Sequence, residues 1–298
     1  MYNYTVIIPH KNCPDLLKRA LDSVPLKDDI QVIIVDDNSD PSKVDFENFP
    51  GLNRPNTIVV FDKSGKGAGR ARNIGLSKIE NNTKWVTFLD ADDFFVENAA
   101  DVFDEHKNSN AELIILHCNS VYSDTLLPAE RHLAREKKIE LAKKDLNIVR
   151  FKDYGPVAKF ISYDIIRQNS LFFEEIRVGN DSMFSVQLGA CCKQIEISDN
   201  VLYVVTIREG SLVQQKDIKT LELRYNVAKN VNCFLKVLGK MKYRVNMFNL
   251  AYRFRPCGVV SFVKYFFCAL ADTTPKYIIK DLYDCIIHLS KITRKKTS

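Results

Sequence analysis

A chain of 298 residues can bury one large core or two modest ones, and with 46% hydrophobic and 27% charged residues it lies in the ordinary globular range, away from disordered and fibrous compositions. Its net charge of +6 is uneven: residues 236–298 hold thirteen Lys/Arg against three Asp, about +10, which leaves about −4 on the rest. An acidic body with a basic end piece points to an anionic neighbour, nucleic acid or anionic lipid.

Nothing at the start resembles a signal peptide, since Met1-Tyr2-Asn3-Tyr4 leads straight into an apolar run. The eight cysteines form no Cys-x-x-Cys pair and mostly lie in apolar runs, so a reducing cytoplasm is expected. Residues 259–271 make the best apolar run, thirteen long and interrupted by Lys264, short of the ~18–20 that a membrane span needs.

Residues 5–9 predict a short strand, and Leu16, Leu17, Ala20, Leu21 and Val24 then share one helical face behind Pro14-Asp15. Strands follow at 31–35, ending in Asp36-Asp37, and at 57–61, ending in Asp62. A helix over 69–79 precedes Trp85-Val86-Thr87-Phe88-Leu89-Asp90-Ala91-Asp92-Asp93, an apolar strand that ends in three carboxylates. A helix near 97–106 and a strand at 112–117 continue the alternation. Strands apolar on both faces and spaced by helices predict a parallel α/β sheet, where ligands collect beyond the strands' carboxyl ends. The acids at 36–37 and 90–93 both stand there and are expected to converge. Further on, 125–149 is loop- or helix-like, 155–160 leads into a helix, 171–181 is a loop ending at Gly179-Asn180-Asp181, and 201–207 is a strand. From 218 the pattern is helical, over 218–238, 246–254, 259–271 and 276–291.

Each polar constellation has a chemical reading and a plain one. Clustered carboxylates repel one another unless a cation is near, so Asp90-x-Asp92 suits a divalent ion with oxygen ligands; otherwise it is an acidic turn capping the next helix. Asp36-Asp37 offers acceptors to a base N–H or ribose hydroxyl, or forms a self-satisfied turn with Asn38 and Ser39. The glycine-rich basic loop from Lys63 to Gly75, with Lys66 and Arg70, suits phosphate at a helix start; it lacks the Walker pattern, and the alternatives are a dinucleotide loop or a surface loop. Asp181 is a general base or a helix N-cap, and Arg208 a charge clamp on a diphosphate or part of a turn. The five histidines show no metal-ligand spacing.

In this order, the segments resemble the family 2 inverting glycosyltransferases of the GT-A fold, over roughly residues 4–211. Val6-Ile7-Ile8-Pro9 with Asn12 matches the opening strand and turn, and Val35-Asp36-Asp37-Asn38-Ser39 the acids that grip base and ribose, Asp37 being the base contact. Gly69-Arg70-Ala71-Arg72-Asn73-Ile74-Gly75 is similar to the family's Ala-Arg-Asn-x-Gly helix. Leu89-Asp90-Ala91-Asp92-Asp93 matches its Asp-x-Asp, Gly179-Asn180-Asp181 its Glu-Asp pair, and Arg208-x-Gly210-Ser211 the loop that closes on the diphosphate. The resemblance implies an α/β, mostly parallel sheet flanked by helices with a C-terminal helical extension. It also implies donor contacts at Pro9, Asp36, Asp37, Lys66, Arg70, Asp90 and Arg208, metal (Mn²⁺ or Mg²⁺) at Asp92, and a base at Asp181. Two positions depart from the pattern: Lys11 replaces an aromatic before Asn12, and Asn180 replaces a glutamate.

The expected organisation is a nucleotide-sugar-binding half at 1–120, an acceptor-binding half with the base at 121–217, and a basic helical region at 218–298. The expected activity is inverting transfer of a sugar from a nucleotide-sugar, a UDP-sugar, to a hydroxyl of a surface glycan or lipid-linked oligosaccharide. The expected location is cytoplasmic, peripheral on an anionic inner membrane face and without a nucleic-acid partner. Favouring that face is the aromatic-basic mix in Tyr243-Arg244, Arg253-Phe254-Arg255, Lys264-Tyr265-Phe266-Phe267 and Arg294-Lys295-Lys296. Two rivals are an inactive scaffold on the same fold, opposed by the presence of both Asp92 and Asp181, and a nucleotidyltransferase. The latter would carry a glycine-rich loop after the first strand, where this chain has Pro9-His10-Lys11-Asn12.

Overall fold

A computed structural model of the chain describes residues 2–208 and 217–296, with side chains through 287. Two compact units divide it, Met1–Glu209 and Gly210–Ser298.

The first unit opens with β1 (Tyr4–His10), α1 (Pro14–Ser23), β2 (Ile30–Asp37), β3 (Thr57–Asp62), α2 (Ala68–Ser77) and β4 (Trp85–Phe88). It continues through β5 (Phe94–Phe95), α3 (Ala99–His106), β6 (Leu113–Tyr122), α4 (Leu133–Ala142) and α5 (Asn147–Lys152). It closes with β7 (Lys159–Ser162), α6 (Tyr163–Gln168), α7 (Ser182–Cys191) and β8 (Ile195–Ile207). All eight strands form one sheet in the order β3-β2-β1-β4-β7-β6-β8-β5. The β1–β2, β1–β4, β2–β3 and β6–β8 ladders are parallel, and the other three antiparallel.

Both faces are covered because successive side chains point to opposite sides of a strand. Val6, Ile8, Val32, Ile34 and Trp85 join Leu17, Leu21, Val102 and Phe103 of α1 and α3 in one layer. Ile7, Ile33, Val35, Val86 and Phe88 join Ala71 of α2, Ile139 of α4 and Phe184 and Leu188 of α7 in the other.

Residues 155–160 do not lead directly into a helix: Lys159 and Phe160 open β7, an antiparallel strand between β4 and β6. Lys159 can lie inside the sheet because its Nζ donates to the Asp153 and Gly155 carbonyls (2.9 and 2.6 Å) and sits 3.1 Å from the Asp153 carboxylate. A buried cation held this way breaks the amphipathic pattern without breaking the strand. β6 crosses residues 120 and 121, so the two expected halves share one sheet.

The second unit contains α8 (Ile218–Val237), α9 (Met247–Tyr252), α10 (Val259–Asp272) and α11 (Ile278–Lys296). Asp217 caps α8 by accepting from the Thr220 amide at 3.0 Å. Leu221, Tyr225, Met247, Phe248, Phe254, Tyr265 and Ala269 form a separate core, in which Phe254 and Tyr265 stack at 3.7 Å. Part of the aromatic-basic mix expected at a membrane is therefore interior: Tyr243, Phe254 and Tyr265 are buried, and Arg244 pairs with buried Asp281. In α10 the helix turns Tyr265 inward while its neighbour Lys264 stays exposed. The Arg294-Lys295-Lys296 side chains lie outside the described ones.

Candidate active site

The parallel register sets carboxyl strand ends side by side. His10 pairs with Asp36 and Asp37 with Asp62. The Leu89 amide donates to the Ile7 carbonyl, so the chain leaves β4 next to β1 and delivers Asp90 to the same rim.

Asp36 is consumed locally. His10 Nδ1 lies 2.8 Å from Oδ1, and the Ser39 amide (2.9 Å) and hydroxyl (2.5 Å) donate to Oδ2 and Oδ1. Burial opposes charging His10 most strongly, yet the hydrogen bonds and charges of Asp36 and Cys13 together outweigh it and push the imidazole up to about 9. Burial opposes the charge on Asp36 as well, but its bonds to His10 and Ser39 hold the carboxyl below its usual range. Asp37 is engaged differently: Oδ2 accepts from Lys11 Nζ at 3.0 Å and Oδ1 from the Gly67 amide at 2.9 Å. Lys11, where an aromatic was the pattern, is thus a counter-ion, and its side chain is 48% exposed. Pro9, half-buried, lies opposite Val35 near the end of β1.

The basic loop splits in two directions. Arg70 Nε donates to Asp62 at 2.9 Å, and Glu175 lies 3.4 Å from both Arg70 and Lys66. Arg72 turns inward instead. Its Nη2 donates to Asp90 Oδ1 at 2.6 Å, its Nη1 to Asn180 Oδ1 at 2.9 Å, and its guanidinium lies over Phe173 at 5.3 Å. Arg72 was within the Ala-Arg-Asn motif but not singled out. The signal lay in helical phase: α2 turns residues 71, 72, 75 and 76 inward and leaves 70 at the rim. Arg72 therefore bridges the Asp-x-Asp turn to the residue before Asp181. Asn180 in place of glutamate supplies a neutral oxygen to a guanidinium already balanced by Asp90.

The three acids of the turn differ. Asp93 is buried and accepts from Tyr203 OH and the Thr206 amide, each at 2.7 Å. Burial, with Asp90 and Asp92 nearby, pushes its carboxyl up to about 8. Asp93 thus pins the turn to β8. Asp90 and Asp92 stay half-buried at the rim, and Arg208 Nε donates to Asp92 Oδ2 at 2.9 Å. Arg19 and Thr206 hold the Asp92 carbonyl, both at 2.7 Å. Gly210 and Ser211 lie outside the described residues.

Asp181 stands at the N-cap of α7, yet its side chain makes no capping hydrogen bond. Burial raises its pKa, Asp90 adds to the rise, and Arg72 and Lys159 oppose it. Asp181 thus lies in the field of Arg72, Asp90 and Lys159.

Among the described residues no group of three His, Cys, Asp or Glu could hold a metal ion by itself. The donor set still fits a hard cation: Asp90 and Asp92 each keep one oxygen outside the contacts to Arg72 and Arg208, and Mg²⁺-type sites commonly complete their shell with substrate phosphate.

The family model described as glycosyl transferase family 2 matches residues 5–176. The chain is 29% identical over 199 residues to the minor teichoic acid biosynthesis protein GgaA of Bacillus subtilis, a match spanning 62% of this chain and 43% of that protein. With the poly(ribitol-phosphate) beta-glucosyltransferase of Bacillus spizizenii it shares 26% identity over 215 residues, spanning 69% of this chain and 32% of that protein. The chain thus spans less than half the length of these relatives. Among solved structures, S. aureus TarS 1-349 in complex with UDP-GlcNAc superposes with TM-score 0.58 at 21% identity, covering 78% of this chain and 66% of that one. The mannosyltransferase PcManGT from Pyrobaculum calidifontis, in complex with GDP-Man and Mn²⁺, gives 0.55 at 13% identity over 99% of this chain and 83% of that one. The fold is GT-A, a sheet flanked by helices with further helices C-terminal to it.

Proposed function

This chain belongs to glycosyl transferase family 2, and on that premise we propose that it transfers a sugar from a nucleotide-sugar to an acceptor hydroxyl with inversion at the anomeric carbon. The observation that carries this reading is the Arg72 bridge, which ties the Asp-x-Asp turn to the segment bearing Asp181. The donor is a UDP-sugar, supported by the likeness to TarS in complex with UDP-GlcNAc. The acceptor is a surface glycan or lipid-linked oligosaccharide, supported by the teichoic acid relatives, and the enzyme works peripherally on the anionic inner face of the membrane.

Asp37 receives the base when exposed Lys11 releases it, while Asp36, held by His10 and Ser39, shapes that turn with Pro9 behind it. Lys66 and Arg70 lie at the rim, where a diphosphate competes with Glu175 and Asp62 for them. Asp92, with Asp90, would hold Mn²⁺ or Mg²⁺, which when bound stabilises the charge of the departing diphosphate. Arg208 then exchanges its contact with Asp92 for one with the diphosphate. Asp181 accepts the acceptor's hydroxyl proton from the side opposite the leaving group. The 1–120 half supplies the donor contacts other than Arg208 and the 121–217 half supplies Arg208 and the base, and strands of both halves share one sheet.

Calorimetry of UDP binding with Mn²⁺ and with chelator tests the donor site. Asp92→Ala should abolish the metal-dependent part of the affinity; unchanged metal dependence in that variant would overturn the assignment.

A further inference from the structure

The second unit fills its core yet leaves large apolar side chains exposed. On α10 these are Val259 (77%), Val260 (85%), Val263 (43%), Phe267 (62%) and Leu270 (38%). At ~100° per residue the five fall within an arc of about 100°, a continuous apolar stripe on the side away from core residues Tyr265 and Ala269. On α11, Ile279, Tyr283 and Ile286 repeat the pattern at i, i+4 and i+7, each more than half exposed. Exposed apolar surface on this scale marks an interaction site.

The surrounding charge selects the partner. Residues 253–280 carry Arg253, Arg255, Lys264, Lys276 and Lys280, all exposed. Their one acid is Asp272, already held by Lys229 at 2.8 Å and Tyr225 at 3.0 Å. Residues 210–298 hold seventeen Lys/Arg against five Asp/Glu, about +12. A second copy would bring the same positive charge to the contact, whereas an anionic bilayer answers apolar stripe and cations together. The fourteen residues of α10 measure ~21 Å, short of the ~30 Å hydrocarbon core, and no described helix is long and apolar enough to cross it.

We infer that α10 lies in the plane of an anionic bilayer, with Val259, Val260, Val263, Phe267 and Leu270 in the acyl boundary and the flanking cations on lipid phosphates. The α11 residues Ile279, Tyr283 and Ile286 add a second contact. This deepens the proposed membrane location by naming the surface, and it rests on that reading only for its biological purpose.

Flotation of the full chain tests it, using vesicles of phosphatidylcholine with phosphatidylglycerol, vesicles of phosphatidylcholine alone, and low and high salt. The chain should float with the anionic vesicles and be released by salt. V263E/F267E should cut the floated fraction at least about tenfold while keeping UDP binding and the circular dichroism of the unaltered chain. A milder F267S should give an intermediate loss. Failure to float with anionic vesicles, or equal flotation of V263E/F267E, overturns the inference. So does a dimer in light scattering that the same substitutions dissociate, since the stripe would then be a contact between copies. UDP binding distinguishes the two proposals: its absence in a chain that still floats defeats the donor assignment and spares the membrane surface.

Discussion

In the proposed mechanism Asp181 and Arg72 have different parts at the residue scale. Asp181 has the position of a helix cap without the hydrogen bond of one, so Asn at this position should leave α7 intact. Asp181→Asn should keep UDP affinity and lose ~10²–10⁴ in transfer rate, because an amide cannot take the acceptor's proton. Near-normal turnover would return Asp181 to a structural role. On that proposal Arg72 acts through others, as a positioning residue. Its two terminal nitrogens reach Asp90 and Asn180 at once, a geometry that an ammonium does not reproduce. Arg72→Lys should lower kcat about 10- to 100-fold with a smaller change in donor KM, as expected when a reacting group is misplaced. A variant in which only KM rises would make Arg72 a donor contact instead.

Among the elements, α2 depends on a missing side chain next to the site. A Cβ at Gly69 would stand 2.1 Å from the Glu174 carbonyl oxygen and 3.0 Å from Asn180 Cβ. Gly69 thus lets the helix lie against the 174–180 segment, and Asn73 locks the same contact through reciprocal bonds with the Phe173 backbone at 2.9 and 2.8 Å. Gly69→Ala should cost ~1–3 kcal/mol, since the obstacle is backbone. It should lower Tm by several degrees and weaken transfer more than UDP binding, because the displaced segment leads to Asp181. Unchanged Tm and turnover would show that the two segments separate freely.

At the scale of the whole molecule, the buried His10–Asp36 pair couples stability to pH. The folded pKa of His10 is raised from 6.5 to about 9, so its contribution is fully present below about 6.5 and lost as pH rises through about 9. Asp36 has a lowered pKa, so its contribution is present above 3.8 and lost as pH falls through its folded value. Resistance to denaturant should therefore fall from near pH 6 to near pH 9. His10→Gln should lose ~1.5–3 kcal/mol at the lower pH, the range for a hydrogen bond to a charged group, and flatten the slope. An equal slope in His10→Gln would place the pH dependence in other groups.

The strands, their carboxyl-end acids and the family were legible in the sequence because each is local: alternation of apolar residues, an Asp-x-Asp at a strand end, an Ala-Arg-Asn helix. The C-terminal helices were legible for the same reason, as apolar periodicity along the chain. Partners across the fold were not. Sequence spacing gave no means to tell that Asp36 closes on His10 and Ser39 or that Asp93 is drawn inside by Tyr203 and Thr206 from 110 or more residues away. Lys159 read as a helix lead-in and became a buried strand residue, because Asp153 and two carbonyls, held by the surrounding packing, accept its charge. The sequence by itself determined which chemistry stands at the strand ends; the tertiary structure decided which charges are already spent on one another, since a carboxylate's availability depends on what the fold brings within ~3 Å of it.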